Sequence, residues 1–155
     1  MTAEARLVEL GIELPAVFPP AGLYVGAVRT GDLLFLSGAG PVRADGTIVT
    51  GKVGGTVEPD VGRQAARLTG LQLLATMRAE LGSLDRIARV VKIFGMVNGA
   101  PGFNRTPQVI DGCSELFVDV FGEAGRAARS AVGMAELPFD ISVEIEAIVE
   151  VRPDL

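Results

Sequence analysis

Two kinds of spacing organise the apolar residues of this chain, alternation in some stretches and a three-to-four step in others, and they predict its elements. Residues 24–30 and 33–37 are β-prone runs joined by Gly31-Asp32, an order that suits a type II′ hairpin turn. In residues 87–97, Val91, Ile93 and Gly95 alternate against Val90, Lys92 and Phe94, the mark of a strand. The last thirty residues read as two strands about a tight Leu137-Pro138 connection, the second spanning 141–151. Helical spacing appears twice. Ala66, Gly70, Leu73, Leu74, Met77 and Leu81 follow a predicted cap at Thr56 and a first-turn Pro59, and Gly82 stops the run. Val109, Ile110, Cys113, Leu116, Phe117 and Val120 form a second stripe between Thr106-Pro107 and Gly122.

Two minor elements complete the pattern. Residues 2–10 can form a short helix ending at Gly11, after which Pro15, Pro19 and Pro20 force an extended connector. The glycine-rich stretch 38–55 has room for one short strand near 47–49. The resulting order of strands and helices predicts an α+β fold, a mixed β-sheet with two helices packed on one face. Residues 1–20 read as an N-terminal helix and connector, and 21–155 as a single domain. The strands are apolar at more positions than one helical layer can hide. The other sheet face therefore needs cover, and a homo-oligomer is expected to supply it.

Composition narrows the chemistry. The net charge of −5 argues against nucleic acid as a partner, because that partner calls for a basic patch. One cysteine leaves no internal disulfide or paired-cysteine metal site, and the lack of histidine removes serine–histidine triads and histidine-rich zinc motifs. No apolar run approaches the roughly 20 residues of a membrane span, and the N-terminus lacks a signal-peptide core, so a soluble cytoplasmic protein is expected.

Charged residues interrupt the C-terminal strands, where a core strand should have none. Arg129, Ala131 and Gly133 share one face of their strand, so a guanidinium stands beside two positions with almost no side chain. Buried charge is costly unless paired. Arg129 either pairs across strands with Glu144 or Glu146 or clamps a ligand carboxylate with its planar fork. In a chain without histidine, one of those two glutamates is the natural group to position a water, or else both are solvated strand residues. Tyr24 is a core aromatic or a pocket wall. Ser37-Gly38 is ordinary turn chemistry or an anion contact, and Cys113 belongs to the apolar stripe. Gly51-Lys52 lacks the spacing and context of a phosphate loop.

Taken together, Gly22-Leu23-Tyr24-Val25, Leu36-Ser37-Gly38 and Ala128-Arg129-Ser130, followed by Leu137-Pro138 and Glu144-Ile145-Glu146-Ala147, resemble the Rid family of YjgF-type reactive intermediate deaminases. The resemblance covers about residues 21 to 151, and the longer N-terminus and the 97–103 loop suggest the longer branch of that family. It implies a chorismate-mutase-like homotrimer with clefts between subunits. It implies hydrolysis of 2-imino acids to 2-keto acids and ammonia, with no metal or organic cofactor. Arg129 would grip the substrate carboxylate and Glu144 would hold the attacking water, with Tyr24, Ser37 and Gly38 lining the pocket. The chain departs from the family pattern at two positions. Ala131 replaces a frequent cysteine, and Asp111 stands where many members carry asparagine, so an inward-facing Asp111 would repel an anionic substrate. A non-catalytic trimer that binds small carboxylates is the alternative, and the endoribonuclease activity attributed to the family fits the acidic charge less well.

Overall fold

The computed structural model describes residues 1–153; Asp154 and Leu155, the end of the expected 21–155 domain, lie outside the described residues. In chain order the elements are α1 (Ala3–Glu9), β1 (Ala27–Thr30), β2 (Leu33–Ala39), α2 (Pro59–Leu81), β3 (Ile87–Asn98), α3 (Thr106–Phe121), β4 (Ala128–Met134) and β5 (Val143–Val151). The strands form one mixed sheet in the order β1-β2-β5-β3-β4, and only the β3–β4 pair is parallel. This is the α+β arrangement that the alternating and helical spacings predict.

The period-two pattern decides which side of the sheet is dry. Val143, Ile145, Ala147, Val149 and Val151 of β5 are all buried, while Glu144, Glu146, Ile148 and Glu150 point the other way. The buried set packs beneath α2 and α3, whose stripes contribute Leu73, Leu74, Met77, Ile110, Leu116 and Phe117 to one continuous core. Each such side chain contributes about 1.5–3 kcal/mol of transfer free energy. The close fit is visible at Gly95 of β3, where an added Cβ would lie 2.6 Å from Ile110 Cγ1. Helix α1 joins the same core through Leu7, and Glu4 anchors it by pairing with Arg78 and accepting from the Leu84 N–H at 2.9 Å.

Among the described residues no helix covers the opposite face. Val28, Phe35 and Val132 are exposed there, flanked by Lys92 and Glu146. The apolar cover that the sequence asks for is not supplied within the described residues of one chain.

Four local expectations change. The first strand begins at Ala27 and not at residue 24, because a Tyr24 N–H bond to Gly22 O at 3.0 Å curls the chain before it reaches β2. Residues 47–49 form no strand; isolated bridges, Val42 to Ile48 and Thr50 to Ile141, hold that loop. Thr56 does not cap α2. Val57 folds back on Lys52 O at 3.0 Å, which closes a turn and moves the cap to Glu58. The last two strands are not neighbours either, since β3 lies between β4 and β5. Their connection passes through Phe139 and Asp140, both at φ 57, and Asn98 Nδ2 donates to Asp140 Oδ1 at 3.0 Å to hold it.

Candidate functional site

The sequence-selected residues fall into two groups on opposite sides of the sheet. Arg129 pairs with Ile93 and Ala131 with Gly95 in the parallel β3–β4 register, so both face the helices. Glu144 pairs with Met96 and Glu146 with Phe94, so both face the uncovered side. Strand β3 also separates them laterally. An Arg129 ion pair with Glu144 or Glu146 is therefore excluded within one chain.

Arg129 has another partner. Its Nη1 donates to Asp111 Oδ1 at 2.7 Å and to Ser114 Oγ at 3.1 Å, both on α3. Asp111 and Ser114 are three residues apart and sit on the flank of the apolar stripe, which brings them over the β4 edge. Arg63 of α2 approaches Asp111 Oδ2 to 3.9 Å and pairs with Glu115. The carboxylate that the sequence marks as a repulsive group is thus the counter-ion of Arg129. Ala131 offers no functional atom beyond its backbone, whose carbonyl accepts from Thr106 Oγ1 at 3.0 Å.

The second group is built around the irregular end of β2. The β2–β5 register shifts between Leu36 and Ala39, and Gly38 lies in that shift. A Cβ on Gly38 would stand 2.6 Å from Glu144 Oε2, so a side chain here would push the carboxylate from its place. Glu144 is half-buried and has no hydrogen-bond or ion-pair partner among the described residues. Burial, aided by the negative charge of Glu146, raises its pKa above the ordinary 4.5. An unpaired, partly desolvated carboxylate is suited to accept a proton from water.

Ser37 and Tyr24 sit beside Gly38. Ser37 Oγ donates to Val25 O at 2.6 Å, which orients its remaining lone pairs. Tyr24 Oη accepts from the Ala21 N–H at 3.2 Å and the side chain is 52% exposed, so it is a wall residue and not part of the core. Tyr24, Ser37 and Gly38 share a cavity of about 180 Å³ with the connector residues Phe18 and Pro19. Glu144, Arg129 and Asp111 do not border that cavity; Gly38 alone links it to Glu144.

Other candidates are accounted for. Cys113 is fully buried and its thiol is pushed up to about 12 by burial, which leaves it inert. Lys52 Nζ donates to Asn98 Oδ1 at 2.8 Å and Ala135 O at 2.6 Å, so it serves a structural network and no phosphate cradle. Among the described residues no cluster of acidic or sulfur groups could hold a metal, and no helix is long and apolar enough to cross a membrane. Sequence reasoning missed Ser114 altogether. Its signal was the three-residue spacing from Asp111 beside the stripe.

Comparison with known proteins identifies the family and the fold. Residues 4–148 match the family described as "YjgF/chorismate mutase-like, putative endoribonuclease". Protein TCP17 of Trypanosoma cruzi is 45% identical over 149 residues, 96% of this chain and 93% of that protein. A 2-iminobutanoate/2-iminopropanoate deaminase of Dermatophagoides farinae is 32% identical over 142 residues, 91% of this chain and 95% of its own length. The crystal structure of Atu1372 from Agrobacterium tumefaciens, of unknown function, is 45% identical and superposes with a TM-score of 0.88, covering 98% of this chain and 93% of that one. A family match over nearly the full length, joined to the same fold, establishes that the chain belongs to the YjgF/chorismate mutase-like family.

Proposed function

We propose that this protein hydrolyses reactive imines and enamines, 2-imino acids among them, to carbonyl compounds and ammonia in clefts between copies of a homotrimer. The observation that carries the reading is Glu144, a half-buried carboxylate that has no partner among the described residues and packs against Gly38. The similarity to a named iminobutanoate deaminase supports the reaction class. The division of the site supports the assembly, because Arg129 and Glu144 cannot meet one substrate from opposite faces of one sheet. A second copy laid over the uncovered face would bury its apolar residues and bring the two groups together.

Arg129 binds the oxygen-bearing end of the substrate through the nitrogens it has left over, and this fixes the C=N carbon near Glu144. Glu144 accepts a proton from water as the oxygen adds to that carbon, giving a carbinolamine. The same proton then passes to nitrogen, Glu144 takes the hydroxyl proton as the C–N bond breaks, and a ketone and ammonia leave, the ammonia carrying that last proton away as ammonium. An iminium is already electrophilic, so one oriented water suffices and no covalent nucleophile is needed, consistent with Ala131 in place of cysteine. An RNA-cleaving role is opposed by the net charge of −5 and by the lack of a histidine.

The test is to generate imines in situ from several amino acids with an amino-acid oxidase and to follow their decay. Faster decay with the protein, lost in Glu144→Gln, is expected. Decay unchanged by the protein across all side chains would leave only a binding role.

A further inference from the structure

Arg129 presents itself to any ligand with its charge already met. Both of its side-chain bonds, to Asp111 at 2.7 Å and Ser114 at 3.1 Å, use Nη1. Nε and Nη2 keep their hydrogens for another acceptor. Asp111 likewise engages Arg129 through Oδ1, and its Oδ2 lies 3.9 Å from Arg63 Nη1, too far for a hydrogen bond. The side chains are 24% and 39% exposed, so both remain reachable. The edge of α3 and β4 therefore offers two N–H donors beside a carboxylate oxygen, with no net charge.

We propose that this arrangement selects a substrate ending in an uncharged carboxamide-type group, an acceptor beside a donor, over one ending in a free carboxylate. The inference rests on the imine-hydrolase reading and narrows its substrate class. A carboxylate can use the free edge of the guanidinium, but it must then sit within a few ångströms of Asp111. Repulsion between like charges at that distance, in a partly screened site, costs roughly tenfold in affinity. A primary carboxamide has the complementary pattern. Its oxygen accepts from Arg129 and its N–H donates to Asp111 Oδ2, with no charge to oppose. In the proposed assembly Glu144 adds a second negative group to the facing wall, which strengthens the same preference.

Pyruvamide and pyruvate test this directly, since they match in shape and differ in charge. Calorimetric titration of the full-length protein should give about tenfold tighter binding of pyruvamide. That ratio needs no variant. Asp111→Asn, of the same shape, should shift the ratio toward pyruvate by about tenfold, and Arg129→Ala should weaken both ligands. Pyruvate binding as tightly as pyruvamide, with a ratio unmoved by Asp111→Asn, overturns the inference. If imine hydrolysis persists in that case, the proposed reaction stands and only the selectivity is wrong. If neither ligand binds and no imine is hydrolysed, the proposed function falls and takes the inference with it.

Discussion

The two halves of the candidate site are prepared in opposite ways. On the helix side, Arg129 is held by Asp111 and Ser114, so its orientation is set and its charge balanced by its own fold. On the uncovered side, Glu144 is partly desolvated with no partner among the described residues, and its pKa is raised. In the proposed reaction one group positions the substrate and the other transfers the proton. The contrast teaches that stability and reactivity are divided between the faces. The arginine is anchored where helices stabilise the sheet, and the carboxylate lies on the face that no described element of one chain covers.

Substitutions on the two sides should therefore differ in size. Glu144→Gln keeps the shape and removes the base, and a loss of about 10²–10⁴ in kcat is expected from imine-decay kinetics. Gly38→Ala forces the new methyl against Glu144 Oε2 and should cost about tenfold or more through displacement of the carboxylate, with the fold retained by circular dichroism. Ser114→Ala removes the weaker of the two Arg129 anchors while Asp111 remains. A rise in KM of about fivefold is expected, near 1 kcal/mol. If Ser114→Ala matched Glu144→Gln in effect, the contrast between positioning and reactivity would be lost.

The pH response sharpens the same comparison. In the proposed reaction Glu144 works as the carboxylate, and burial with the Glu146 charge lifts its pKa above 4.5. The acid limb of kcat/KM should therefore lie above the ordinary glutamate range. Glu146→Gln removes one cause of the rise, so the limb should move to lower pH. For stability the sign is opposite. The protonated form suits the fold better, so its contribution is complete below 4.5 and fades as pH climbs through the raised value.

Much of this was legible in the sequence, for identifiable reasons. Strand β5 shows its dry and wet faces by strict alternation from Val143 to Val151, and the alternation alone places Glu144 on the outside. Helix α3 is equally readable from its stripe and its Thr106 and Gly122 bounds. The partner of Arg129 was not legible, because it depends on where α3 crosses the β4 edge, a contact between residues 18 apart in sequence. Strand order was hidden in the same way. The Leu137-Pro138 connection looks local, yet β3 lies between the strands it joins. The residues of the Gly38 to Glu144 contact are far apart too, but glycine beside a strand end gave a usable sign of close approach.

In the proposed enzyme, Arg129 and Glu144 act on one substrate from different copies of the chain. Co-expression of Arg129→Ala with Glu144→Gln, each nearly inactive alone, tests it most directly. Mixed trimers would each contain one site with both groups intact, so random assembly predicts recovery of about a quarter of wild-type imine hydrolysis. A co-expressed mixture that exchanges subunits yet stays as inactive as the separate variants would contradict the account.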